Sequence, residues 1–323
     1  TMLGAGIIAW FNSLNKKSAL IQAGWGAAIA RKIPYSIALA VNLGIAPLLF
    51  MQVIYGQFVY VSAVLMAVYW LAIFILIILA YYAAYLYDMK YKELGRARAW
   101  VQGFSVLVFL VVGYYFTCNL VMMLNPQGWS EYFQRPWGTI LPSVDPSLAP
   151  RYLHFVFSSA AIGGLALGLW GWWRLKNGDP KGQALLDQGL TWYGVATMVN
   201  FAVGAWYLGA LPQAVLEQVI GGNKAATFAL LAGVLAGLAS IPVALSRNAP
   251  FAATCALLSV VLMVLFRYAV RAAYLAPYLK VEAMPMAPQY SALVMFLGVL
   301  VLGLITVVYM LKLASKAGKE ASL

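Results

Sequence analysis

Charged residues are scarce in this sequence. They make up 9% of the 323 residues, whereas 64% are hydrophobic. A soluble domain has about 25% charged residues, and one core cannot bury the apolar surface that this chain carries, so lipid has to cover much of it. The scarcity of charge therefore excludes a soluble globular protein and predicts an all-α fold, a polytopic bundle of transmembrane helices in contact with membrane lipid.

Acidic residues are the scarcer sign: there are nine, against 21 Lys and Arg. None falls near the middle of an apolar run, although proton relays and cation-coupled transporters generally need a carboxylate inside the membrane. Pairs of broken helices, which are typical of transporter sites, are not evident from the sequence either. A transporter or channel is therefore the least favoured class of function.

Cysteine and histidine are almost absent. Cys118 and Cys255 stand alone in apolar segments. Without a Cys-x-x-Cys or Cys-x-x-Cys-His motif, neither a thiolate metal site nor covalently attached haem is expected. His154 is the only histidine, so any metal ligation by imidazole has to use this residue.

Long apolar runs predict eight full spans, because about 20 apolar residues are needed to cross a bilayer. The predicted spans are residues 34–57, 61–87, 99–124, 152–173, 186–210, 226–245, 251–275 and 290–311. An apolar stretch at 2–11 is too short to span and is interpreted as the end of a helix that begins upstream of Thr1.

A single transmembrane domain over residues 1–323 is predicted from this pattern. Its parts are a partial first helix and a cytoplasmic or interfacial segment (1–33), the eight spans (34–311) and a cytoplasmic tail (312–323). Within the first part, residues 12–33 are expected to lie along the membrane surface as an interfacial helix.

The cationic residues set the orientation. Fifteen of the 21 Lys and Arg residues fall in alternate loops or in the tail, and such an excess marks the cytoplasmic side. The carboxy terminus is therefore predicted to be cytoplasmic, and the chain is interpreted as a multi-pass protein of a bacterial inner membrane. Nucleic acid is not an expected partner, because no basic stripe is interleaved with aromatic residues.

His154 has two interpretations. It lies in the first turn of the predicted fifth helix (span 152–173, counting the partial first helix), near the outer surface, where it could be a polar residue among lipid headgroups or an axial ligand of a b-type haem. Arg151, Arg267 and Arg271 are predicted at the same depth. The last two are four residues apart and share a helix face, so they either extend to the outer headgroups or bind an anion such as a haem propionate or a lipid phosphate.

Gln52 and Tyr55 are three residues apart in the second predicted helix and face together near the outer side. Hydrogen bonding between helices is one interpretation. Binding of a quinone headgroup, which offers two carbonyl acceptors, is the other.

The layout resembles subunit I of the cytochrome bd quinol oxidases. Residues 41–44 (Val-Asn-Leu-Gly) resemble that family's Asn-containing second helix, and residues 151–155 (Arg-Tyr-Leu-His-Phe) followed by 160–173 resemble the opening of its fifth helix. The resemblance implies nine helices, an outer amino terminus and a cytoplasmic carboxy terminus. It also implies that His154 takes the position of the histidine that ligates the low-spin b haem.

The sequence departs from that family where oxygen chemistry is carried out. Span 61–87 lacks the carboxylates of proton delivery, span 226–245 lacks the Met ligand, and residues 266–271 lack the Glu ligand and the Gly-Arg-Gln-Pro-Trp run. The short segment 211–225 replaces the long quinol-binding loop. This chain is therefore not expected to reduce oxygen on its own.

Two functions follow as hypotheses. In the first, the chain is a membrane subunit of a respiratory electron-transfer complex, such as a quinol-linked oxidoreductase, with b-type haem on His154. Electrons would pass between menaquinone or ubiquinone and an outer-side cytochrome c or iron–sulfur subunit, alongside other membrane subunits. The candidate second ligands are Met122, Met123, Met284 and Met286. In the second, the chain is a haem-free anchor that contributes to a quinone pocket.

Overall fold

The computed structural model describes residues 2–15, 17–284 and 288–320, and in this part of the chain every regular element is helical. The α-helices are α1 (Met2–Leu14), α2 (Ala19–Gln22), α3 (Gly26–Leu65), α4 (Ala67–Met89), α5 (Ala97–Leu124), α6 (Leu148–Lys176), α7 (Gly182–Gly209), α8 (Gln213–Glu217), α9 (Lys224–Leu245), α10 (Ala249–Leu275) and α11 (Tyr290–Glu320). Short 3-10 turns cover Pro126–Phe133 and Val281–Ala283, and a π turn covers Gln218–Gly222. The predicted all-α class is confirmed.

Among the described residues, seven helices are long and apolar enough to cross a membrane: α3, α4, α5, α6, α9, α10 and the Tyr290–Ala314 part of α11. An eighth span results if α7 is taken together with Gln213–Gly222 as one bent unit. These helices support a multi-pass membrane protein, and the eight spans that the apolar runs predict are reached when the bent unit is counted as one of them.

The bend after α7 corrects one expectation from the sequence. α7 and the segment Gln213–Gly222 meet at 110° across a short break, so the chain does contain a broken helix pair. The sequence reads here as a short loop, because Pro212 ends one helix and Gly221 turns the chain with a positive φ of 91°. The helix that lies between them, α8, has only five residues. The residue pattern of so short a segment does not predict a helix or a strand.

The predicted span 34–57, which corresponds to α3, differs most from the structure. α3 begins at Gly26, so residues 26–33 belong to the spanning helix and not to an interfacial one. Ile29, Ile33 and Ile37 recur every four residues and are all buried, because this face packs into the core beside α1, α4 and α5. α3 then continues through Pro34 and Pro47 to Leu65, with non-helical backbone angles at Tyr55 (φ −116°, ψ 26°) that bend it near the outer side.

Glycines hold α6 and α7 together. A Cβ atom added to Gly171 of α6 would collide with the backbone of Leu186 in α7, and one added to Gly189 would collide with the backbone of Gly168. Small residues let membrane helices approach until their backbones touch. This contact lies in the C-terminal half of α6 and the N-terminal half of α7 and leaves the other halves to larger side chains.

The chain divides into two compact units, residues 1–279 and 280–323. The first holds α1–α10, in which α1, too short to span, packs against α5 and α6. The second holds the turn Val281–Ala283 and α11. α11 continues past the predicted end of its span at residue 311 as far as Glu320, and residues 321–323 of the predicted tail lie outside the described residues.

Candidate functional site

Arg151 and His154 both lie on the face of α6 that contacts α7. α6 begins at Leu148, four residues earlier than predicted, so Arg151 lies in its first turn and His154 in its second rather than its first. The two residues are three apart and therefore share a face. The Arg151 guanidinium lies over the ring of Tyr207 in α7, 5.1 Å from its centroid. Arg151 is only 9% exposed, and its Nε has no hydrogen-bond partner among the described residues.

The other two predicted arginines come from α10. The Arg267 guanidinium lies 5.3 Å from the ring centroid of Phe155, the residue after His154. The Arg271 guanidinium lies 5.1 Å from the ring centroid of Tyr55 in α3. Arg267 is within electrostatic range of both Arg151 and Arg271. The structure therefore brings together the three arginines that the sequence places at one depth, and we call them the arginine cluster.

The arginine cluster is short of negative charge. The ion pairs found among the described residues are Lys90–Glu93, Arg135–Glu131, Arg174–Asp179 and Arg247–Asp187, and none includes the cluster. Asp145 is close enough to act on Tyr207 and Tyr274, but its Oδ1 accepts hydrogen bonds from the backbone N–H and the hydroxyl of Ser147. Three guanidiniums with this little compensation form a site suited to an anion.

The His154 ring packs against α7. A Cβ atom placed on Gly204 would lie 3.5 Å from His154 Cε1 and 3.6 Å from its Nδ1, and the imidazole lies near the backbone carbonyl of Asn200. The Nδ1 atom is buried without a hydrogen-bond partner among the described residues. A buried polar atom left unpaired is costly in a membrane, so this nitrogen marks a place where a bound group or water is expected.

Gln52 and Tyr55 differ in their burial and in their contacts. Tyr55 is 3% exposed at the bend of α3, and its ring lies beneath Arg271, which joins it to the arginine cluster. Gln52 is half-buried one turn earlier, and the structure gives it no hydrogen-bond partner among the described residues. Of this predicted pair, the structure brings only Tyr55 into contact with the cluster.

The candidate second haem ligands lie in different environments. Met122 packs in the core of α5 with Leu65 and Cys118, and Met123 is also buried. Met284 is exposed in the second unit, and Met286 lies outside the described residues. Within the described residues, no three His, Cys, Asp or Glu side chains come close enough to hold a metal ion by themselves.

A cavity of about 260 Å³ opens at the outer ends of the helices near the cluster. Its walls include Asn125, Asp145, Pro212 and Tyr274, from the ends of α5 and α10 and from two outer connections. Tyr274, in the wall of this cavity, is within electrostatic range of Arg151, so the cavity lies beside the cluster.

Tyr207 is the residue that the sequence reasoning missed. It contacts Arg151 and is within electrostatic range of Arg267. A faint signal was available, because Asn200 and Tyr207 are seven residues apart and so lie on one face of α7. A tyrosine near the end of an apolar helix is, however, equally typical of the interfacial belt.

Comparison with known proteins gives no match: no family model, no curated protein and no solved structure is similar to this chain. The site is therefore interpreted from its own residues.

Proposed function

We propose that this chain is the membrane subunit of a respiratory electron-transfer complex in a bacterial inner membrane, with one b-type haem bound through His154. The observation that carries the proposal is a buried, unpartnered imidazole nitrogen one helical turn from Arg151, which belongs to a cluster of three arginines without an ion-paired carboxylate among the described residues. An imidazole and nearby cations are what a b haem requires from a protein, one for the iron and the others for the two propionates.

The residues present fit such a group at its ligand and at its propionates. His154 offers the imidazole, and the backbone carbonyl of Asn200 lies where it can orient the ring, as carbonyls commonly do for ligating histidines. Arg151 is buried one turn toward the outer surface, with its Nε available as a donor. When bound, the haem supplies a one-electron carrier at this depth. The second axial ligand is not assigned by the described contacts.

Quinol binding is proposed beside the bend of α3. Tyr55 is buried where the helix bends, and its hydroxyl is a donor suited to a quinone carbonyl. Arg271, which lies over the Tyr55 ring, provides a second donor within the same region. Menaquinone or ubiquinone would meet the arginine cluster here, and an outer-side cytochrome c or iron–sulfur subunit would exchange the electrons.

A reduced-minus-oxidised spectrum of the complex, purified with its native partners, tests the proposal. We expect the bands of a b-type haem in the wild type and their loss in His154→Ala. Arg135→Gln is the matched control, because Arg135 is also an outer-side arginine but is exposed and pairs with Glu131. An intact complex without b-type bands, or bands that persist in His154→Ala, would overturn haem binding and favour the haem-free anchor.

A further inference from the structure

Polar residues follow one face of α7 and meet polar residues of α6. On α7, Tyr193, Thr197, Asn200 and Tyr207 recur at spacings of four, three and seven, which places them on a single face. On α6, Arg151, His154 and Ser158 are spaced by three and four. The two rows touch where Asn200 Nδ2 donates to Ser158 Oγ at 2.8 Å and where Arg151 lies over Tyr207. We call these two rows the polar seam.

Unpaired polar atoms concentrate on the polar seam. Among the described residues, six buried side-chain nitrogen or oxygen atoms have no hydrogen-bond partner. Four of them are in the seam: Arg151 Nε, His154 Nδ1, Thr197 Oγ1 and Asn200 Oδ1. Buried polar groups in proteins are nearly always hydrogen-bonded, and in a membrane they cannot turn to bulk water. Four such atoms on one pair of faces indicate a shared ligand rather than four separate defects.

The hydrogen-bonding capacity of three of these atoms indicates the chemistry of the ligand. The Arg151 Nε–H can only donate, the Asn200 Oδ1 can only accept, and the Thr197 hydroxyl can do both. An anion would satisfy only the donors, and a cation only the acceptors. Water both donates and accepts, and buried water typically bridges two to four such groups.

The two ends of the seam differ. At its inner end the Tyr193 hydroxyl donates to Ser240 Oγ at 2.5 Å, and Ser240 Oγ donates to the carbonyl of Gly237 at 2.6 Å, so no polar group is left unpaired there. Beyond that pair the core is apolar, with Leu186 and Leu190 buried. At its other end the seam reaches Arg151, which is within electrostatic range of Tyr274 in the wall of the cavity.

From these observations we infer that the polar seam is a water-filled path that opens to the outer face and ends at the Tyr193–Ser240 hydrogen bond. It brings solvent past His154 and roughly to mid-membrane, while the packed leucines and the glycine contacts of α6 and α7 close it at its inner end. The inference does not depend on haem, because every group that it uses belongs to the chain.

Silver-ion accessibility of introduced cysteines tests the path. The two native cysteines are first replaced (Cys118→Ala, Cys255→Ala). In this background, Thr197→Cys in the seam is compared with Met198→Cys. Met198 is the next residue and is 49% exposed on the lipid-facing side of the helix bundle. The two positions differ in depth by only about 1.5 Å. Ag⁺ is added outside sealed vesicles of native orientation, and the remaining free thiols are counted with a maleimide after denaturation.

We expect Thr197→Cys to react at least ~10-fold faster than Met198→Cys, because Ag⁺ reacts with the thiolate and a lipid-facing thiol stays protonated. Ser158→Cys, from the α6 side of the seam, is expected to react like Thr197→Cys and replaces it if that variant does not fold. Equal rates at seam and lipid-facing positions, or faster reaction from the cytoplasmic side, would overturn the path. The haem spectrum is read separately, so the two proposals can fail independently.

Discussion

The guanidinium of Arg151 lies over the ring of Tyr207, 5.1 Å from its centroid, and ties the first turn of α6 to the outer end of α7. Through this contact Arg151, a residue of the candidate site, also stabilises the fold. A cation over an aromatic ring contributes about 0.5–1 kcal/mol when exposed and about 2 kcal/mol when desolvated, and Arg151 is nearly buried.

Tyr207→Leu is expected to lower the free energy of unfolding by about 1–2 kcal/mol, because it removes the aromatic face beneath a buried cation. Tyr207→Phe keeps that face and serves as the control, with an expected loss well below that of Tyr207→Leu. Unfolding in detergent, followed by circular dichroism against denaturant, gives both values. Equal losses in the two variants would mean that the hydroxyl of Tyr207, not its ring, holds Arg151.

Arg267→Gln is expected to act in opposite directions with and without a bound anion. Arg267 has Arg151 and Arg271 as like-charged neighbours, so removing its charge relieves repulsion and raises the unfolding temperature of the protein stripped of ligand. With haem bound, the same change removes a partner for a propionate and lowers haem occupancy. Thermal unfolding of both forms, with Arg135→Gln as the control, checks the reversal. A loss of stability in both forms would contradict it.

Gly189→Ala is expected to destabilise the bundle by about 1–3 kcal/mol, because overpacking forces tightly packed elements apart. The added methyl group would collide with the backbone of Gly168 in α6. Gly194→Ala is the matched control on the same helix, since a Cβ atom there meets nothing within 4 Å. Unfolding midpoints of the two variants give the comparison, and a Gly194→Ala variant as unstable as Gly189→Ala would show that the loss does not come from the backbone contact, because Ala is the better helix former.

Asp179→Asn is expected to remove a pH-dependent part of the stability. Asp179 lies in the connection between α6 and α7, where Arg174 Nε donates to its Oδ2 at 2.9 Å and the Lys181 N–H donates to its Oδ1 at 3.0 Å. Slight desolvation raises the pKa of this carboxyl, but the Lys181 N–H and the Arg174 guanidinium outweigh it and hold the pKa below its usual value.

A lowered pKa in the folded state means that the stabilisation is fully present above the unfolded-state pKa, about 3.9, and is lost as the pH falls through the folded-state value. The wild type should therefore lose stability faster than Asp179→Asn when the pH is lowered from about 5 toward 3. Glu93→Gln, at an exposed pair with Lys90, is the control, and unfolding measured at each pH is the readout. Parallel curves for wild type and Asp179→Asn would contradict the prediction.

The sequence predicted the spans better than the contacts between them. Long apolar runs identify spanning helices because lipid demands them, and most predicted limits lie within a few residues of the observed helices. Residues 26–33 were assigned to the surface because Arg31 and Lys32 stand among them. The spacing of Ile29 and Ile33 predicts one apolar helix face, but whether that face meets the core or the membrane surface is a tertiary effect.

The depth of the arginines could be predicted, but not the side chains that they meet. Charges in apolar helices are conspicuous, and their position along each helix gives the depth. Tyr55, Phe155 and Tyr207 are the rings beneath the guanidiniums, and aromatic residues of this kind fill every span of the chain. Which ring lies under which cation depends on helix rotation and on the bend of α3 at Tyr55.

The glycine contact between α6 and α7 divides that helix pair mechanically. At Gly171 and Gly189 a Cβ atom would meet the backbone of the facing helix, so no side chain can yield there. Toward the outer surface the same helices are kept apart by His154, Asn200 and Tyr207. Any widening of this helix pair is therefore expected to pivot about the glycines. A group that binds beside His154 would separate only the half of the pair that holds His154.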